Sequence, residues 1–201
     1  MEPFEPIDAV AVPIAAANVD TDQIIPSRFL QKPRTDAFGA YLFRDQRFRA
    51  DGSENDAFVL NRPPYRAARV VVAERNFGCG SSREQAVWAL YDYGIRAVIA
   101  PSFGDIFATN ATKNGLLPIV LPEADVLRML ERLQAQPGAH LQVNLAAREV
   151  TGPDGSMHRF DVDPFVRRCL LEGLDELAYT LTLVDRIERF EAAYGREGAG
   201  A

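Results

Sequence analysis

Apolar residues come in short blocks, separated by polar and glycine-rich breaks. The block "AVAVPIAAANV" (Ala9–Val19) reads as a strand running into a turn. "RVVVAE" (Arg69–Glu74), "IRAVIAP" (Ile95–Pro101) and "LLPIVLP" (Leu116–Pro122) are short and rich in β-branched residues, so they are expected as buried strands. Between them the spacing turns helical. From Ser82, the positions Ala86, Ala89, Leu90 and Tyr93 recur on one face, and Gly94 gives a C-terminal stop. "GDIFATNATKNG" (Gly104–Gly115) reads as a helix ending at its second glycine. Glu123–Gln136 is amphipathic, with Val126, Leu127, Leu130 and Leu133 on a common face.

Strand, helix, strand, helix, strand, helix with short loops predicts a parallel α/β core. After it, "HLQVNLAAREVT" and "SMHRFDVD" flank the turn signal "GPDG" and read as a β-hairpin. "PFVRRCLLEGL" and "DELAYTLTLVDRIERFEAAYG" close the chain as helices, and the tail 195–201 is expected to fray. The stretch from Gln31 to Pro64 holds Phe38, Tyr41, Phe43, Phe48 and Phe58 but no sustained period. Such a segment is functional or mobile, and its aromatics argue against full disorder. No internal repeat and no domain-separating linker interrupts the chain, so one domain spanning 1–201 is expected.

Composition narrows the class. Among 201 residues, 47% are hydrophobic and 25% charged, the balance of a soluble globular protein. The acidic start and the lack of a long apolar run predict a cytoplasmic protein with no membrane segment. A net charge of −6 gives no general attraction to nucleic acid. Two cysteines, Cys79 and Cys169, cannot form a complete metal or cluster site on their own, and free thiols are the expectation. His140 and His158 both fall in the predicted hairpin, as surface or strand-pairing residues.

The chemistry concentrates in "NFGCGSSREQAVWAL" (Asn76–Leu90). Gly78 and Gly80 between a strand and a helix N-terminus form either an anion cradle or a plain turn. Ser82 and Gln85 match a capping box, which accounts for one serine and not for both. In the functional reading, one hydroxyl binds ligand and the other serves as a base, an alkoxide stabilised by the helix N-terminus and Arg83. Arg83 suits a bidentate carboxylate grip and stands where the helix dipole disfavours a cation, which leans towards function. Cys79 has three readings: nucleophile, cluster ligand, or small loop residue. With no histidine nearby and only one cysteine in the loop, the last is favoured. "NVDTD" (Asn18–Asp22) puts Asp20, Thr21 and Asp22 after the first strand, as a hydrogen-bonded turn or a pair of acids.

These motifs resemble a known family. "NFGCGSSRE", "WALYDYGIRAVIAPSFGDIF", "GLLP", "NVDTDQIIPSRFL" and "YLFRDQRF" are similar in order and spacing to the small subunits of 3-isopropylmalate dehydratase, in the aconitase superfamily. The likeness runs from about Phe4 to about Tyr194. It implies a swivelling β/β/α domain of the α/β class, with a mostly parallel core sheet flanked by helices. It implies dehydration of 2-isopropylmalate and rehydration to 3-isopropylmalate, in leucine biosynthesis. It further implies a large-subunit partner carrying a [4Fe-4S] cluster, with no metal on this chain. By the resemblance, Ser81 is the catalytic base, and Ser82 and Arg83 contact substrate carboxylate. Arg28 is a looser match to a carboxylate-gripping arginine. Asp20, Thr21, Asp22, Gly78, Cys79 and Gly80 are supporting positions. Gln85 departs from the family's usual histidine, and 31–62 corresponds to a mobile substrate loop. Two alternatives stand beside this reading. One is a related hydro-lyase acting on homoaconitate or on a methylated malate or citraconate. The other is a non-catalytic anion-binding module.

Overall fold

The computed structural model describes residues 1–35 and 37–198. Four strands form the parallel part of the sheet: β1 (Ile7–Ile14), β2 (Val70–Ala73), β3 (Ala97–Ala100) and β4 (Leu117–Val120). Helix α1 (Thr21–Ile24) follows β1, and α2 (Arg44–Arg47) lies in the long segment before β2. Helices α3 (Glu84–Tyr93) and α4 (Asp105–Lys113) connect β2 to β3 and β3 to β4, and α5 (Glu123–Ala135) follows β4. This is the alternation that the apolar blocks predict.

Strands β2 and β3 are buried along their whole length because both faces are covered. Val71, Ala73, Val98 and Ala100 join one core with α3 and Phe107 of α4. Their alternate neighbours Val70, Val72, Ala97 and Ile99 join a second core with Val126, Leu130 and Leu133 of α5. That double coverage is why these strands read as continuous apolar runs.

The single hairpin expected after α5 is a three-stranded meander of β5 (His140–Asn144), β6 (Glu149–Thr151) and β7 (Met157–Arg159). The extra reversal falls at "NLAAR", where the Asn144 side chain accepts a hydrogen bond from the Ala147 N–H at 2.9 Å and Arg148 adopts φ 60°. Left-handed backbone is rare for arginine, so the sequence carried no turn signal there. The meander continues the main sheet. Ile7–Val10 of β1 pair antiparallel with β5, while Ala11–Ile14 pair parallel with β2. The strand order is β4-β3-β2-β1-β5-β6-β7.

The C-terminal region divides into α6 (Pro164–Glu172), α7 (Glu176–Leu181) and α8 (Val184–Gly198). Asp163 caps α6 by accepting from the Phe165 and Val166 N–H groups, and Pro164 fits the first turn. Of the tail expected to fray, residues 195–198 complete α8 and 199–201 lie outside the described residues.

The segment from 31 to 64 is irregular, as its sequence suggests, yet much of it is packed. Phe38, Leu42, Phe43 and Leu60 are buried against α3 and β1. Arg47 is buried among them and forms no ion pair with a carboxylate among the described residues. Its guanidinium donates to Asn61 Oδ1 at 3.2 Å and to the Leu42 carbonyl at 3.3 Å, and lies over the Tyr93 ring. Burial pushes its pKa down from the usual arginine value. Asn61 Nδ2 returns hydrogen bonds to the Arg47 and Asn55 carbonyls at 2.5 and 3.0 Å. Arg47→Ala removes packing and leaves Asn61 short of a partner, so a loss of about 2–4 kcal/mol is expected, read from urea unfolding midpoints. A loss under ~1 kcal/mol would mean that the segment is not held by this network.

Candidate active site

The chain leaves β2 at Ala73 and enters α3 at Glu84, and the glycine loop spans the gap. Asn76, Gly78 and Gly80 all have positive φ, at 63°, 72° and 89°. The loop is hydrogen-bonded from both sides. On one side, the Gly78 N–H donates to the Val19 carbonyl at 2.7 Å. The Thr21 N–H donates to the Cys79 carbonyl at 2.9 Å, and its hydroxyl to the Ser81 carbonyl at 2.8 Å. On the other, the Phe77 N–H donates to the Ser102 carbonyl at 3.1 Å, and the Gly104 N–H to the Phe77 carbonyl at 2.9 Å. The loop therefore lies fixed at the C-terminal ends of parallel strands, where open α/β sheets place ligands.

Ser81 and Ser82 follow the last glycine with exposed side chains. Both precede α3, which begins at Glu84 rather than at Ser82. The capping box is not formed. The N-cap position is Arg83, with φ −139° and ψ 102° and no side-chain cap, and Gln85 donates instead to the Leu30 carbonyl at 3.2 Å. Both serines are thus released from capping.

Arg83 stands just outside the helix rather than in its first turn. Its side chain is only 11% exposed. The guanidinium holds both carboxylate oxygens of Asp22, one at 2.7 Å, and donates to the Ile25 carbonyl at 3.3 Å. This fork brings residues 61 apart in sequence to one point. Pairing with Asp22 offsets the unfavourable position of a cation beside the helix N-terminus.

The two aspartates of "DTD" divide their tasks. Asp20 accepts from the Gln23 N–H at 2.7 Å and caps α1, the plain turn reading. Asp22 orients Arg83. Between them Thr21 is buried and anchors the serine loop. The loop and "DTD" therefore form one constellation of Asp20, Thr21, Asp22, Gly78, Cys79, Gly80, Ser81, Ser82 and Arg83.

Arg28 is engaged elsewhere. It pairs with Asp45 through two hydrogen bonds, one at 2.9 Å, and stacks 4.6 Å above the Phe29 ring. The hydrogen bond from Arg28 holds the Asp45 carboxyl below the usual carboxylate range, and the same contact raises the arginine. Sequence reading also missed Asn18, which accepts from the Asn76 side chain at 2.7 Å and ties the two loops at their base. Its φ of 57° is a left-handed conformation that asparagine tolerates, in the turn four residues past the end of β1.

Cys79 is half-buried and Cys169 is buried, and both thiols are free. Among the described residues, no three His, Cys, Asp or Glu side chains are grouped to hold a metal ion. An apolar cavity of about 370 Å³ lies apart from the serines, between Met1, α4, α6 and α7.

The glycine loop, its exposed serines and the carboxylate-held arginine are thus set on the parallel part of one sheet. A family model described as "Aconitase C-terminal domain" matches residues 1–124, and one described as LeuD_N matches 128–164. The 3-isopropylmalate dehydratase small subunit of Nitrobacter hamburgensis is 47% identical over 201 residues, covering all of both chains. The small subunit of the same name from Paramagnetospirillum magneticum is 50% identical over 191 residues, 95% of each chain. A crystal structure titled as 3-isopropylmalate dehydratase (leuD) from Methanocaldococcus jannaschii superposes with a TM-score of 0.66 at 28% identity, over 93% of this chain and 99% of that one. The chain belongs to the 3-isopropylmalate dehydratase small-subunit family.

Proposed function

We propose that the chain supplies the proton-transfer half of a hydro-lyase that interconverts 2-isopropylmalate and 3-isopropylmalate in leucine biosynthesis. The observation that carries this reading is the pinned loop, with Ser81 and Ser82 exposed beside Arg83. Ser81 Oγ, as alkoxide, takes the proton from the carbon adjacent to the hydroxyl-bearing carbon. The C–H electron pair becomes the double bond of the enoic diacid as hydroxide leaves the neighbouring carbon. In the second half, the proton returns from Ser81 and the hydroxyl adds at the other position. Arg83 and Ser82 hold a substrate carboxylate, and the N-terminus of α3 lends positive potential to the same place.

Departure of the hydroxyl is assigned to the large subunit, and the [4Fe-4S] cluster is placed there as well. Arg28 is kept as a looser carboxylate contact in this scheme; Asp45 holds its fork as Asp22 holds that of Arg83. The whole chain acts as one domain. The mobility expected for 31–62 is assigned to its exposed stretches, 31–35 and 49–53. The protein is placed in the cytoplasm. No helix among the described residues is long and apolar enough to cross a membrane.

The test is reconstitution. The chain alone is expected to turn over no diacid. With a purified, cluster-loaded large subunit it interconverts the isopropylmalates, with kcat/KM well above that on homoaconitate or citraconate. Turnover by the isolated chain would overturn the division of labour. A preference for another diacid would overturn the substrate assignment.

A further inference from the structure

Two arginines near the serine loop are gripped by aspartates in the same way. Arg83 meets both oxygens of Asp22 through Nη1 and Nη2, and Arg28 meets both oxygens of Asp45 through the same two nitrogens. The second pair is far more open. Its side chains are 55% and 58% exposed, against 11% for Arg83. An ion pair so exposed adds little to folding stability. What the fork does fix is direction. Asp45 occupies the end of the guanidinium, and the Phe29 ring lies against its face, with the centroid 4.6 Å from Cζ. Asp45 takes two of the five N–H groups, which leaves three, Nε–H among them, for another acceptor.

Arg28 stands on a segment tied at both ends to the junction of the serine loop and α3. At one end Arg83 donates to the Ile25 carbonyl at 3.3 Å, and at the other Gln85 donates to the Leu30 carbonyl at 3.2 Å. Ile25 and Arg28 are three Cα steps apart, so their Cα atoms are at most about 11 Å from each other. Asp45 comes to the same place from α2. The Phe43 N–H donates to the Ile24 carbonyl at 2.8 Å, which pins the start of α2 to the end of α1. Beside the pair lies an open cavity of about 460 Å³, lined by Arg28, Phe29, Arg44, Asp45, Phe48 and Arg49 among others. Three guanidinium groups and one carboxylate line it, so it keeps an excess of positive charge and suits an anion. The substrate is a diacid, and Arg83 with Ser82 accounts for only one of its carboxylates.

We propose that Asp45 is a positioning residue for the second substrate carboxylate: its fork holds Arg28 with the Nε edge free, and that edge receives the carboxylate. The inference rests on the reading that Arg28 contacts substrate. It adds the group that aims Arg28. The buried network of Arg47 and Asn61, on the same short helix and the segment behind it, then fixes α2 and Asp45 with it.

The test measures kcat and KM for 2-isopropylmalate in the enzyme assembled with purified large subunit. Arg28→Ala is expected to raise KM roughly 10–100-fold, the effect of losing a charge-assisted contact. Asp45→Asn keeps the size of the side chain but puts an amide donor where one acceptor was, so the fork opens. Its KM should rise about threefold or more with kcat within about twofold, the pattern of lost ground-state binding. The double variant Arg28→Ala/Asp45→Asn should be no worse than Arg28→Ala alone, because Asp45 acts only through Arg28. Melting should stay at the wild-type midpoint throughout, since both side chains are exposed. A smaller rise in KM for Asp45→Asn would overturn the inference, and so would a fall, which would make Asp45 a competitor of substrate for the fork. A double variant worse than Arg28→Ala would overturn it too, because Asp45 would then act by another route. So would a melting midpoint lower by roughly 5 °C or more in Asp45→Asn, which would assign the pair to the fold. An unchanged KM in Arg28→Ala would remove the carboxylate contact and the inference with it, and leave the Ser81 assignment standing. Absence of isopropylmalate turnover by the assembled wild type would instead overturn the proposed function itself.

Discussion

Ser81→Ala lowers turnover of the assembled enzyme by about 10²–10⁴-fold, the usual contribution of a positioned general base. The substitution deletes one oxygen from an exposed side chain, so it leaves little reason for misfolding. The loop around it is held by backbone groups: Thr21 bonds the Ser81 carbonyl, and Gly78 and Cys79 bond to the segment after β1. The variant therefore keeps its loop, its Arg83–Asp22 fork and its large-subunit affinity. KM should change far less than kcat, because Ser82 and Arg83 retain the carboxylate. The decisive measurement pairs steady-state rates at saturating large subunit with exchange of the abstracted substrate proton into solvent. Exchange and turnover should fall together if Ser81 Oγ carries that proton. Turnover within tenfold of wild type, with both subunits assembled, would show that the base lies elsewhere.

Much of the scaffold was legible because it depends on local pattern. Buried parallel strands give continuous β-branched runs, and the amphipathic face of α5 repeats every turn. The glycine loop was legible as a strand-to-helix connection because strand, glycines and helix start lie next to one another. Three features were not, each for a physical reason. The Arg83–Asp22 fork joins positions 61 residues apart, and no periodicity links them. The packing of 31–64 rests on aromatics and a buried arginine held by carbonyls and an amide, a network that leaves no repeat. The turn at Asn144–Arg148 uses a left-handed arginine where glycine or asparagine would have announced it. The capping box was the reverse case. Ser82 and Gln85 satisfied a local rule, but Gln85 found the Leu30 carbonyl and α3 started later. Of these, the Arg83–Asp22 fork and the late start of α3 lie at the candidate site, as expected where function competes with regularity.

Gly78→Ala should destabilise the fold more than either of two related glycine changes, and the comparison separates the causes. At Gly78 two penalties coincide. The backbone has φ 72°, and a Cβ there would lie 2.2 Å from Cγ of the Phe107 ring. Left-handed backbone costs an alanine about 1–2 kcal/mol, and forcing a methyl into a packed site costs roughly 1–3 kcal/mol more. The sum of about 2–5 kcal/mol is a large share of the ~5–15 kcal/mol that stabilises a typical domain. For a chain of this size the melting midpoint should fall by roughly 5–15 °C. Gly155→Ala isolates the first penalty, because its φ is 79° but nothing lies within 4 Å of the added atom. Gly104→Ala isolates the second, because its φ is −64° while the new Cβ would lie 2.5 Å from the Gly78 carbonyl oxygen. Phe107 is buried against Phe77 in the core, so the ring cannot swing into solvent to make room. The loop has to move instead, and it carries Ser81 with it. Gly78→Ala should therefore also lose activity in the fraction that remains folded, whereas Gly155→Ala, in the turn between β6 and β7, should not. A Gly78→Ala enzyme that melts and turns over like Gly155→Ala would show that the loop yields to the ring without disturbing the serines.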